Sequence, residues 1–88
     1  MEWFRNAAEQ GDAEGQYRLG VCYFAGHGVV RSDAEALRWF RKSAEQGYAR
    51  GQYMLGKCYA EGWGVAVDKE EAEKWLHKAA EQGVRDVE

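Results

Sequence analysis

The residues of this chain that could do covalent or metal chemistry are few: Cys22 and Cys58, His27 and His77, Ser32 and Ser43. A structural zinc ion needs four converging donors, which sequences supply as tight pairs such as C-x2-C. Cys22 and His27 are five residues apart, and neither histidine recurs at the period described below: Trp63 aligns with His27 and Arg41 with His77. No metal and no cofactor is expected. Ser32 precedes an acidic helical run and reads as a helix cap, while Ser43 aligns with Ala7 and Ala79 on a packed face. No S-x-x-K motif is present, and no spacing suggests a serine, a histidine and a carboxylate acting together. Gly26-His27-Gly28 and Gly62-Trp63-Gly64 resemble phosphate loops only in composition. Such a loop follows a strand and opens a helix, whereas here a helix precedes the glycines. They read as left-handed turn residues that stop a helix. An enzyme is therefore not expected, and the chemistry left to the chain is that of a surface.

The elements that would present such a surface are set by a repeat. AEQG occurs at Ala8–Gly11, Ala44–Gly47 and Ala80–Gly83, 36 residues apart each time. A fixed period of this length signals stacked supersecondary units. Residues 12–47 align with 48–83 through Gly15/Gly51, Gln16/Gln52, Tyr17/Tyr53, Leu19/Leu55, Gly20/Gly56, Cys22/Cys58, Tyr23/Tyr59, Ala36/Ala72 and Trp39/Trp75. Residues 2–11 match the last third of a unit, and 84–88 the start of another.

Each unit reads as two helices. An inner helix covers 12–25, with Ala13, Gln16, Leu19, Gly20 and Tyr23 on one face. An outer helix covers about 33–46, with Ala36, Trp39, Phe40, Ser43 and Ala44 as its apolar stripe. The second unit gives helices at about 48–61 and 69–82, and residues 2–10 make a short first helix with a stripe through Trp3, Phe4 and Ala7. Asp12 is placed to cap the first inner helix. Ser32 with Glu35, and Asp68 with Glu71, have capping-box spacing. Val29 and Val30 are expected to tuck the connector onto the core. A mid-helix glycine costs about 1 kcal/mol, so Gly20 and Gly56 mark places where a second helix packs too close for a side chain. On the outer helices Glu70–Lys74 and Glu73–His77 stand at ion-pair spacing.

Composition agrees with helices. The chain has 88 residues, 45% hydrophobic and 31% charged, which excludes a disordered polymer. It contains no proline, threonine or isoleucine. Net charge is −3 with both signs interleaved, so no basic patch marks a nucleic-acid binder. No apolar run reaches membrane-spanning length, and MEWFRNAAEQ lacks the basic and apolar regions of a signal peptide. Equivalent cysteines in stacked helical units would lie about 8–10 Å apart, beyond disulfide reach. Two free buried thiols suit a reducing compartment, and a cytoplasmic location is expected.

The pattern LG-x-x-Y-x-x-G-x-GV, a cap residue, then A-x-x-W-x-x-x-AEQG resembles the Sel1-like repeat. It stands as Leu19-Gly20, Tyr23, Gly26, Gly28-Val29, Ser32, Ala36, Trp39 and Ala44–Gly47. It stands again as Leu55-Gly56, Tyr59, Gly62, Gly64-Val65, Asp68, Ala72, Trp75 and Ala80–Gly83. The resemblance implies an all-α, α/α solenoid related to tetratricopeptide arrays, one domain over 1–88 with five helices in about two and a half repeats. It also implies a concave side lined by inner helices. Both connectors lack the proline often found after Gly-Val, and the array is short. Cysteine-rich members of that family are associated with β-lactam binding. They pair cysteines within a repeat, which this chain cannot do, so a β-lactam hydrolase stands third among the readings.

The function expected first is a non-enzymatic scaffold for a protein or peptide partner. If Leu19, Gly20 and Tyr23 face the core, Glu14, Tyr17, Val21, Phe24 and Ala25 share another face. Their counterparts are Arg50, Tyr53, Lys57, Ala60 and Glu61. The two units diverge here while their core positions agree. Tyr17 and Tyr53 serve equally well as core aromatics or as groove residues. Val21 and Phe24 beside Arg50 and Lys57 suit a peptide with apolar and acidic side chains. The chain begins and ends within the repeat pattern, and Trp75, Leu76, Ala79 and Ala80 have only half their neighbours. A self-assembling element, joined through its terminal helices, is therefore the second reading, as is a piece of a longer array.

Overall fold

The computed structural model describes residues 2–83, with side chains from Arg5 onward; the expected Trp3–Phe4 stripe and the 84–88 tail lie outside the described residues. Five helices and no strand occur among them: α1 Glu2–Glu9, α2 Ala13–Ala25, α3 Asp33–Glu45, α4 Ala49–Glu61 and α5 Lys69–Glu81. Each helix packs on the next, and α2 also touches α4, whereas α3 and α5 make no such contact. The two inner helices are thus neighbours and the two outer helices splay apart. That difference curves the array with α2 and α4 on the inside.

The helix ends follow local chemistry. Asp12 Oδ2 accepts from the Gly15 amide at 2.8 Å, Ser32 Oγ from the Glu35 amide at 3.1 Å, and Asp68 Oδ1 from the Glu71 amide at 3.1 Å. Each satisfies one of the amides that a first helical turn leaves without a partner. Only half of each expected capping box forms. The Ser32 and Asp68 amides donate instead to the Tyr23 and Tyr59 carbonyls, tying both connectors back to their inner helices. Gly26 and Gly62 end α2 and α4 at φ 70° and 77°, a left-handed conformation that suits glycine. In the first connector Val29 is half-buried, but Val30 is 88% exposed. An extended segment turns successive side chains to opposite sides, so only one of the two valines can tuck inward.

Packing explains the helix-interior glycines. A Cβ on Gly20 would sit 2.7 Å from the Phe40 ring, and one on Gly56 2.7 Å from Leu76 Cγ. Phe40, Leu19 and Leu55 are fully buried, each contributing about 1.5–3 kcal/mol by leaving water. The main cluster joins Ala36, Phe40 and Ala44 of α3 to Leu55, Cys58 and Tyr59 of α4 and to Ala72 and Trp75 of α5. A second one joins Ala8, Leu19 and Trp39.

Polar contacts fix the register. Gln16 Nε2 donates to the Ala8 carbonyl at 3.3 Å. Gln46 Nε2 donates to the Gly11 carbonyl at 2.8 Å and to Gln16 Oε1 at 2.9 Å. One period later Gln52 donates to Ala44, and Gln82 to Gly47 and to Gln52. The glutamine of AEQG therefore clamps each outer helix to the preceding AEQG and to its own inner helix. The alanines and glycines of AEQG were legible from sequence; this clamp was not.

The charged outer faces also differ from expectation. Lys74 pairs with Glu71 at 3.7 Å, not Glu70, and His77 meets Glu81 at 3.0 Å, not Glu73. Lys74 lies 5.2 Å from the Trp75 ring centroid, and that position favours Glu71. Lys78 covers the same ring at 5.0 Å, as Arg38 and Lys42 cover Trp39 at 4.8 and 5.5 Å. Cations on these helices shield the repeated tryptophans.

Candidate interaction groove

Helices α2 and α4 leave a cavity of about 230 Å³ between them, lined by Tyr17, Arg18, Val21, Cys22 and Arg50. Tyr17, Val21 and Arg50 were singled out by sequence; Arg18 and Cys22 were not. Tyr17 serves two roles at once. Its ring stands 6.0 Å from Phe40 and 5.6 Å from Tyr48, yet the residue is only half-buried and forms part of the cavity wall. Val21 is 36% exposed, and it is among the few large apolar side chains left open to solvent. Arg50 is exposed in the first turn of α4.

The other expected residues are distributed around this centre. Glu14 pairs with Arg18 at 3.0 Å on the exposed side of α2. Phe24, at the far end of α2, packs at 4.9 Å on Trp63 and against the main cluster, with Arg31 5.6 Å from its ring. It supports the groove more than it lines it. Lys57 pairs with Glu61 at 3.8 Å, and Tyr53 is half-buried. Neither Lys57, Glu61 nor Tyr53 lines the cavity that holds Val21. Arg18 takes its place because it follows Tyr17 and precedes Val21 by one helical turn. Spacing did not assign it to this face; a long side chain can lie back along the helix.

The rest of the chain offers little chemistry. Burial and the nearby Asp33 carboxylate push the Cys58 thiol from 9.0 up to about 12, so it stays protonated and unreactive. Cys22 and Cys58 are both free and buried. No group of three or more histidine, cysteine or acidic side chains suited to a metal occurs among the described residues. No described helix is long and apolar enough to cross a membrane.

Comparison with known proteins accounts for this architecture. The Sel1 repeat family model matches residues 1–12, 13–48 and 49–84. The chain belongs to the Sel1 repeat family. A solved Sel1-like structure, a protective antigen present in uropathogenic Escherichia coli strains and displaying an SLR fold, is 49% identical with a TM-score of 0.92. The match covers 96% of this chain and 18% of that one. A Sel1 repeat protein from Oxalobacter formigenes is 41% identical with a TM-score of 0.90, over 93% of this chain and 63% of that one. This chain therefore spans less than two thirds of either relative. No curated protein matches it. Sel1 repeats generally serve as protein-interaction scaffolds, and their fold is typically non-catalytic.

Proposed function

We propose that this protein is a non-enzymatic scaffold that binds a polypeptide partner along the inner-helix face, centred on the α2–α4 groove. The observation that supports it is the joint lining of one cavity by apolar Tyr17 and Val21 and by two arginines, Arg18 and Arg50. An apolar recess edged by guanidinium groups suits a segment with an apolar side chain next to a carboxylate, since arginine binds carboxylates through paired hydrogen bonds. The acidic side of the partner then meets Arg50, with Arg18, itself paired with Glu14, at its side, and Lys57 lies outside the cavity lining. The position is also where the two units differ: Glu14 of α2 becomes Arg50 in α4, a reversal of charge on one scaffold.

Selection of a displayed peptide library on the wild-type protein tests this reading. Recovered peptides are expected to share an apolar residue beside Asp or Glu. They are expected to lose most of their binding to a Val21→Glu, Arg50→Glu variant, whose changes fall on exposed positions and leave the core alone. Phe24 is a poor choice for this purpose because its ring is part of the packing. Peptides that bind the variant as tightly as the wild type would falsify the assignment.

A further inference from the structure

The two arginines that line the groove differ in what they already hold. Arg18 Nε donates to Glu14 Oε2 at 3.0 Å, and one Nη lies at the same distance from the same oxygen. Arg50 has neither a hydrogen bond nor an ion pair with any other described residue. The repeat explains the contrast. Glu14 and Arg18 stand four residues apart in α2, a spacing that lets them pair. Their counterparts in α4 are Arg50 and Met54, which cannot. Helices α2 and α4 nevertheless have the same length and the same left-handed glycine stop. An inner helix of this array therefore forms without such a pair. The Glu14 and Arg18 side chains are also about half exposed, where ion pairs contribute little to stability.

We infer, taking the groove as the partner-binding surface proposed above, that Glu14 sets how many charges it accepts: one side-chain carboxylate beside the apolar residue, and not two. Two guanidiniums and one carboxylate leave a local net charge of +1. A first partner carboxylate meets Arg50 and brings that charge to zero. A second one, on the residue next to it, is left with Arg18, and there it meets the Glu14 carboxylate on the same guanidinium. Two carboxylates about 4 Å apart weaken binding about fivefold even at the dielectric of water. A bound partner displaces water from the groove, which strengthens the repulsion. An uncharged residue in place of Glu14 would leave a local charge of +2, and the groove would then favour paired acids. Glu14 is thus a specificity-determining residue. It touches Arg18 and not the apolar recess, and it acts on the partner through charge.

Isothermal titration calorimetry tests the inference with two peptides blocked at both ends, so that terminal charges stay out of the count. One is a peptide recovered by the selection, with a single Asp or Glu beside its apolar residue. The other is the same peptide with a second Glu next to the first. The wild type is expected to bind the singly acidic peptide at least as tightly as the doubly acidic one. In Glu14→Gln the ratio of the two affinities is expected to move about fivefold toward the doubly acidic peptide, and the change is expected to shrink at high salt, which a merely structural effect would not do. Glu14→Arg, which carries the residue of α4 at that position, is expected to move the ratio further the same way. Far-ultraviolet circular dichroism checks that each protein is folded. A wild type that prefers the doubly acidic peptide overturns the inference, and so do folded Glu14 variants with an unchanged ratio. The groove reading survives either result if Val21→Glu, Arg50→Glu still loses both peptides. Peptides that bind that variant as tightly as the wild type overturn both.

Discussion

Cys58 is fully buried, and its thiol is held up to about 12 by burial and the Asp33 carboxylate. An acid whose pKa is raised on folding keeps a proton that the unfolded chain releases. Its contribution is present below the unfolded value of 9.0 and is lost as pH rises toward about 12. Denaturant melts from about pH 8 to about pH 10 are therefore expected to show a steeper loss of stability in the wild type than in Cys58→Ala. At the lower pH, iodoacetamide followed by mass spectrometry is expected to label Cys22, which borders the groove, before Cys58. Gly20→Ala is a second residue-scale case. Alanine gains about 1 kcal/mol of helix propensity. Its methyl group would meet the fully buried Phe40 ring at 2.7 Å, and overpacking of that kind costs about 1–3 kcal/mol. A net destabilisation of up to about 2 kcal/mol is expected in urea melts. Gly20 was legible in the sequence because a costly residue returned at the repeat period. Arg18 was not, because the path of a long side chain depends on its neighbours.

At the scale of elements, helix limits came within a residue or so of expectation because they rest on local chemistry: Asp12, Ser32 and Asp68 as caps, Gly26 and Gly62 as stops. What local chemistry cannot give is a partner 30 or more residues away, and the glutamine clamp is of that kind. Replacing Gln46 by alanine removes its bonds to the Gly11 carbonyl and to buried Gln16, and replacing Gln16 removes its bonds to the Ala8 carbonyl and to Gln46. Each is expected to lose about 1 kcal/mol, with the double variant losing less than the sum. Thermal melts of the four proteins measure that coupling; additive losses would mean that the clamp does not act as a unit. The half-formed capping boxes have the same origin. The Ser32 amide is taken by Tyr23 of another helix, a claim that sequence spacing around Ser32 does not reveal.

For the whole molecule, the repeat gave the architecture and its curvature then brought α2 beside α4, which made a groove from residues that spacing had only grouped by face. The expected end-to-end association rested on the apolar stripe of α5, and α4 already covers Ala72 and Trp75 of that stripe. Leu76 and Ala80 of that stripe stay half-buried, beside exposed Glu70, Glu73 and His77, and the proposed partner-binding surface lies between the inner helices. Backbone amide NMR of the labelled protein, titrated with a peptide recovered by selection, tests that assignment most directly. Shift changes centred on Tyr17, Arg18, Val21, Cys22 and Arg50 are predicted, fading toward the outer helices. Changes confined to α3 and α5, with the groove amides unmoved, would contradict it.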